Sequence, residues 1–126
     1  KEPKVYFFDT GYVIGDIGIK WENACAAMLL KHTHFEQDVQ GKSVSLHYLR
    51  TKDGAEVDFV LCQGGAPTYL IECKYADNHP TPSLMKFAGL FSNAQSIQLV
   101  RELRQEEYRR LVSIRKGADW LAELSA

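Results

Sequence analysis

The sequence predicts an α/β (α+β) domain: a mixed central sheet flanked by helices, with elements in the order αβββαβ behind an N-terminal extended strand. Three observations predict it. Val57, Phe59 and Leu61 alternate with Asp58, Val60 and Cys62, and Tyr69, Ile71 and Cys73 alternate with Leu70, Glu72 and Lys74, which is the period-2 pattern of strands. Between them, Gln63-Gly64-Gly65-Ala66-Pro67 reads as a hairpin loop, because glycine accepts positive φ and proline ends ladder pairing. Segments of helical composition and spacing then stand before and after this hairpin.

Taken in order, Lys4 to Phe8 is a short β-prone run that Asp9-Thr10-Gly11 ends. Ile17 to His32 lacks proline and is rich in Ala, Leu and Met, so it reads as a helix. Steps of ~100° put Lys20, Asn23 and Lys31 on a polar sector and Trp21, Cys25, Met28 and Leu29 opposite. Glu22 falls among Cys25, Ala26 and Leu29, where an unpaired carboxylate is costly, so it needs a partner. His32-Thr33-His34 and the polar run to Lys42 read as a loop with surface histidines, since His-x-His lacks the other ligands of a metal site. Ser43 to Thr51 reads as a strand, and Lys52-Asp53-Gly54 turns into the hairpin.

After the hairpin, Thr81-Pro82 has the form of an N-cap followed by the proline favoured in a first helical turn. Leu84, Phe87, Ala88 and Phe91 give that helix a buried stripe, and Asn93 is expected to stop it. Ile97 to Val100 reads as a further strand and Ala118 to Leu124 as a terminal helix. Between these, Glu102 to Arg115 is open between helix and strand.

A symmetric hairpin loop pairs Cys62 with Thr68, Val60 with Leu70, Asp58 with Glu72 and Glu56 with Lys74. One face is then Val57, Phe59, Leu61, Tyr69, Ile71 and Cys73, suited to a core, and the other gathers Glu56, Asp58, Glu72 and Lys74. Two carboxylates directly across a strand pair repel, so a positive charge must compensate: Lys74, or a hard cation such as Mg²⁺. Val60 and Leu70 share that face, which argues that the charges are partly covered and not simply wetted.

The 126 residues, 45% hydrophobic, fit one domain over 1–126 with a single core. A start at Lys1 instead of methionine leads to the expectation of a piece of a longer chain, and no membrane-length apolar run is present. Cys25, Cys62 and Cys73 form no CxxC and sit in apolar patterns, so reduced core thiols in a cytoplasmic protein are expected. Fifteen Lys and Arg against sixteen Asp and Glu give a formal charge of -1, which does not announce a nucleic-acid binder. Locally, Arg101, Arg104, Arg109, Arg110, Arg115 and Lys116 outnumber Glu102, Glu106 and Glu107, and a solvated charged face is the plainest reading of that segment. No Walker-type phosphate loop, dinucleotide fingerprint or Ser/His/Asp constellation is present.

A helix with an inward Glu, three antiparallel strands, a helix and a strand, with Asp58 on the second strand and Glu72-x-Lys74 on the third, resembles the PD-(D/E)XK nuclease superfamily and its restriction-endonuclease-like core. More narrowly, KVYFFDTG, WENACAAMLLKH, YLRTKDGAEVDFVL and YLIECKYAD are similar to the uncharacterised domain that follows the ATPase module in many bacterial and archaeal AAA-type ATPases. Val57 stands before Asp58 where the superfamily name carries proline. The resemblance implies a metal-dependent endonuclease site for DNA or RNA, with Asp58, Glu72 and Glu22 holding Mg²⁺ or Mn²⁺ and Lys74 orienting the attacking water, about 7 Å along the strand from Glu72. It places Arg50 and Lys52 at the mouth of the site, where they can hold phosphates. It also implies the ATPase module of the parent chain as partner, and the lack of a membrane-length apolar run leads to the expectation of no membrane partner. A reading from a different class stays open: a non-catalytic module that binds nucleic acid or protein and positions the ATPase.

Overall fold

The computed structural model describes residues 17–124, so the expected strand at Lys4 to Phe8 lies outside the described residues. The elements are α1 (Ile17–Asp38), β1 (Val44–Arg50), β2 (Glu56–Gln63), β3 (Ala66–Lys74), α2 (Pro82–Leu90), β4 (Gln95–Val100), β5 (Glu107–Arg109), β6 (Val112–Lys116) and α3 (Gly117–Leu124). They form an α+β fold with one six-stranded mixed sheet in the order β1-β2-β3-β4-β6-β5. β1, β2 and β3 are antiparallel neighbours, β3, β4 and β6 run parallel, and β5 closes the far edge antiparallel to β6.

Each face of the sheet is covered. On one, Trp21, Cys25, Ala26 and Leu29 of α1 and Trp120 and Leu121 of α3 pack on Leu46, Phe59, Leu61, Ile71, Cys73, Ile97 and Leu99. On the other, Leu84, Phe87 and Ala88 of α2 pack on Leu49, Val60, Cys62, Leu70, Val100, Val112 and Ile114. Residues one apart on β3 and β4 thus enter opposite cores, as a pleated strand buried on both faces requires.

α1 runs six residues past the expected end at His32, so His32 and His34 lie on helix and not in a loop. No glycine or proline interrupts the chain between Gly18 and Gly41, and the Thr33 hydroxyl, buried on the core side, donates to the Leu29 carbonyl 2.8 Å away. Gly41 at φ 66° then ends the helix, with the Lys42 N–H donating to the Glu36 carbonyl. Only a narrow stripe of α1 meets the sheet. Met28, expected inside, is 40% exposed, while Asn23, expected in the polar sector, is 6% exposed and donates to the Ile19 carbonyl.

The hairpin loop is shorter than its composition suggests. Gly64 and Gly65, at φ 61° and 82°, turn the chain alone, because two positive-φ residues match the right-handed twist of paired strands. Ala66 and Pro67 belong to β3, with Pro67 opposite Cys62. Thr68, expected opposite Cys62, is the extra residue of a bulge, and its hydroxyl donates to the Leu61 carbonyl at 3.0 Å. Beyond it the pairing Val60 with Leu70 is as expected.

α2 starts where Thr81 accepts the Leu84 N–H on its side-chain oxygen, with Pro82 in the first turn. It ends at Leu90 with Phe91 as the cap, three residues ahead of Asn93. The open segment after Glu102 resolves as the β5–β6 hairpin, turned by Arg110 at φ 55°. No helix among the described residues is long and apolar enough to cross a membrane.

α1 and α3 meet the sheet at a close contact. A Cβ built on Gly117 would lie 2.2 Å from Cζ2 of Trp21, and the Trp21 indole cannot simply swing away because its Nε1–H donates to the buried Leu99 carbonyl. Gly117→Ala is therefore expected to destabilise the domain by about 1–3 kcal/mol through overpacking, measured as a lower urea midpoint with an unchanged m-value.

Candidate metal and phosphodiester site

The β2–β3 ladder of paired residues runs from Gln63 with Ala66 to Phe59 with Ile71, and there it stops. One residue further, the two carboxylates take over the cross-strand bonding. Asp58 Oδ2 accepts the Cys73 N–H at 2.9 Å, and Glu72 Oε1 accepts the Asp58 N–H at 3.0 Å. The side chains thus satisfy backbone donors that the ladder leaves open, and the strands are tied together by their acids.

A second irregularity sets the direction of Asp58. Between the pairs His47 with Val60 and Leu49 with Val57, β1 advances two residues while β2 advances three, so the extra residue falls in Asp58-Phe59. Strict alternation is lost there. Val57, expected beside Phe59 on the core face under α1, packs instead with Val60 and Cys62 on the α2 side. Bulges of this kind re-aim side chains and are frequent next to functional sites.

Glu72 is 8% exposed, Asp58 and Lys74 are half-buried, and Glu22 reaches the same region from α1. Burial pushes the Glu72 carboxyl up to about 8, with the Asp58 charge the next cause and Lys74 opposing both. Burial likewise raises Glu22 to about 7, followed by repulsion from Asp58, with Lys74 lowering it and Glu56 raising it. Asp58 is raised by burial against the opposing pull of its Cys73 hydrogen bond and Lys74. Glu22, Asp58, Glu72 and Lys74 therefore share one electrostatic neighbourhood in which three acids crowd a single amine.

The β2–β3 ladder ends at Phe59 with Ile71, before the expected pair of Glu56 with Lys74. Glu56 lies across from Arg50 in the β1–β2 register, with Arg50 Nε 2.8 Å from Oε1, and the Arg50 guanidinium also sits 5.8 Å from the Tyr48 ring centre. Lys74 is left to the buried acids. Lys52 stands exposed in the turn before β2.

Residues 17–116 match the model of a protein family described as Domain of unknown function (DUF4143). The chain belongs to the DUF4143 family. No curated protein matches it. Among solved structures, a chain of the refined half-complex from the tetradecameric assembly of Thermococcus gammatolerans McrB AAA+ hexamers with bound McrC is similar at TM-score 0.46 and 14% identity. The match covers 79% of the DUF4143 chain and 27% of that chain, and a likeness at this score carries no argument about function.

The sequence reading missed Gln98 in this DUF4143 domain. Fully buried on β4 opposite Glu72, it accepts the Thr81 N–H at 3.2 Å and donates to the carbonyls of Asp77 at 3.1 Å and His79 at 2.8 Å. It fixes the loop that leaves β3 just past Lys74. A lone amide inside the apolar run Ile97-Gln98-Leu99-Val100 was the available signal, since a buried polar side chain needs partners.

The raised carboxyls dictate a pH dependence. The folded state holds protons on Glu22 and Glu72 up to about 7 and 8, whereas the unfolded chain releases them near 4.5. Stability from these groups is therefore full below pH ~4.5 and falls as pH rises through the folded values. Urea unfolding between pH 5 and 8.5 should show this decline, and Glu72→Gln should flatten it.

Proposed function

We propose that this domain carries a divalent-metal site of the PD-(D/E)XK nuclease kind, acting on nucleic-acid phosphodiesters within an AAA-type ATPase. The observation that carries the proposal is the pair of cross-strand hydrogen bonds, Asp58 N–H to the Glu72 carboxylate and Cys73 N–H to the Asp58 carboxylate, at the point where the strands cease to pair, with Lys74 and Glu22 beside them. The link to an ATPase rests on the likeness of KVYFFDTG, WENACAAMLLKH and IECKYAD to domains that follow such modules.

The donor set fits a hard cation. All candidate ligands are carboxylate oxygens, and each of Asp58 and Glu72 spends one oxygen on a backbone N–H and keeps the other. Buried, mutually repelling acids with raised pKa values gain most from a dication, and ligation releases their protons. Mg²⁺ needs only one or two protein carboxylates, because water and substrate phosphate fill its remaining positions. When bound, such an ion polarises a phosphodiester and lowers the pKa of a coordinated water. Lys74 brings an ammonium to the place where negative charge grows on the phosphoryl oxygens, and Glu22 supplies a third carboxylate from α1. Arg50, paired with Glu56 on the exposed edge, and Lys52 in the turn before β2 are the side chains that would hold substrate phosphates at the mouth of the site.

One observation favours the rival reading of a non-catalytic module that binds nucleic acid or docks on the parent ATPase. No group of three or more His, Cys, Asp or Glu among the described residues is arranged around a common metal position. The two readings part on titration with Mn²⁺. For the nuclease, Mn²⁺ raises the melting temperature of the wild type, more at pH 8 than at pH 6, and supports cleavage of single- or double-stranded DNA or RNA. Asp58→Ala should abolish both effects, and Lys74→Ala should abolish cleavage. Absence of any Mn²⁺ effect at millimolar concentration rejects the metal site and leaves the binding module.

A further inference from the structure

The site occupies the end of β3, and the chain there opens onto a cavity of about 590 Å³ between the loop after β3 and the loop after β4. That volume lies in the range of ~300–1,000 Å³ usual for ligand sites. Ala76 and Asn78 form one side, and Glu102, Arg104, Gln105 and Glu107 the other. The two loops are joined at their roots: the Arg101 N–H donates to the Lys74 carbonyl at 3.0 Å and the Glu102 N–H to the Tyr75 carbonyl at 2.7 Å. Gln98 holds the first loop from beneath. The groove is therefore a built feature that begins two residues beyond Lys74.

Its charge is not what the residue types suggest. Glu102 is paired with Arg101 at 2.8 Å and Glu107 with Arg109 at 2.9 Å, so both acids of the lining are neutralised by neighbours outside it. Arg115 is likewise taken by Glu106 and Glu123. Arg104 is exposed and enters no ion pair among the described residues. The groove presents one uncompensated guanidinium flanked by the amides of Asn78 and Gln105. Arg, Asn and Gln are among the side chains that hold phosphate oxygens, and a guanidinium does so with two parallel N–H donors.

We propose that this groove takes the phosphate backbone of a single nucleic-acid strand as it leaves the Asp58, Glu72 and Lys74 site, with Arg104 as the phosphate contact. This rests on the nuclease reading, and it adds the track and the residue that position the strand. Arg104 is a positioning residue, so its loss should weaken binding more than it slows chemistry on bound substrate.

The test is fluorescence anisotropy of a labelled single-stranded DNA oligonucleotide over a salt series, with Ca²⁺ present, for the wild type, Arg104→Ala and Arg104→Lys. Melting temperature serves as the folding control, and Mn²⁺ stabilisation is measured on the same three proteins. The expected result is a several-fold loss of affinity in Arg104→Ala, with the slope of log affinity against log salt smaller by about 1, partial recovery in Arg104→Lys, and Mn²⁺ stabilisation unchanged in all three. Equal affinity and slope in wild type and Arg104→Ala overturn the groove while leaving the metal site standing. Mn²⁺ stabilisation of a wild type that binds no oligonucleotide also overturns it, again without touching the metal site. Competition by a polyglutamate peptide as effective as that by unlabelled DNA shows a site for acidic protein and overturns it as well.

Discussion

The two hydrogen bonds by which the Asp58 and Glu72 carboxylates accept the backbone N–H groups of Cys73 and Asp58 are the constraint on which the rest of the arrangement depends. Each carboxylate stands in for a missing rung of the hairpin, so the acids cannot be removed without leaving backbone N–H groups of β2 and β3 unpaired in a poorly solvated place. In the proposed site, stability and metal binding use the same atoms. The cost is visible in the raised carboxyls of Glu22, Asp58 and Glu72, which no compact fold would gather for packing alone.

Much of the fold was legible because its signals are local. The Thr81-Pro82 start of α2 follows from a hydroxyl cap and a proline that needs no N–H, and both act within one turn. β3 was legible from the period-2 alternation of Tyr69, Ile71 and Cys73 with Leu70, Glu72 and Lys74, which needs only neighbouring residues. What failed was register. Neither the extra residue at Asp58-Phe59 nor the one at Thr68 leaves a mark in the residue types, since a bulge is decided by how two strands fit and not by either alone. The same limit hid the partner of Glu56: Arg50 opposes it only through β1–β2 pairing. The burial of α1 was misjudged for a related reason, because a helical wheel shows which residues can share a face but not how wide a stripe the sheet will cover. Glu22 was legible as an acid among apolar neighbours, and Gln98 could have been found by the converse sign, an amide inside an apolar strand.

The charged tail illustrates how little a count of residues says about potential. Six basic residues against three acidic ones between Arg101 and Lys116 suggest a positive edge. In the folded chain Arg101, Arg109 and Arg115 are each matched to a glutamate, and Arg115 to two. Such exposed pairs add little to stability, with typical values of 0–1 kcal/mol, yet they decide which cations remain available to a ligand.

The contact between Trp21 and Gly117 ties the two ends of the described chain together, and this bears on how the domain is made. The residue after Trp21 is Glu22, so the placement of an acid near the start of α1 depends on a glycine that opens α3 and on the Leu99 carbonyl of β4. The antiparallel strands β1, β2 and β3 are contiguous in sequence and can pair as soon as they leave the ribosome. Glu22 cannot take its final position until β4, β6 and the first turn of α3 have been synthesised. A nascent chain would thus hold Asp58 and Glu72 together early but acquire the complete set of charges late. In the proposed site, Glu22 is therefore the last acid to arrive.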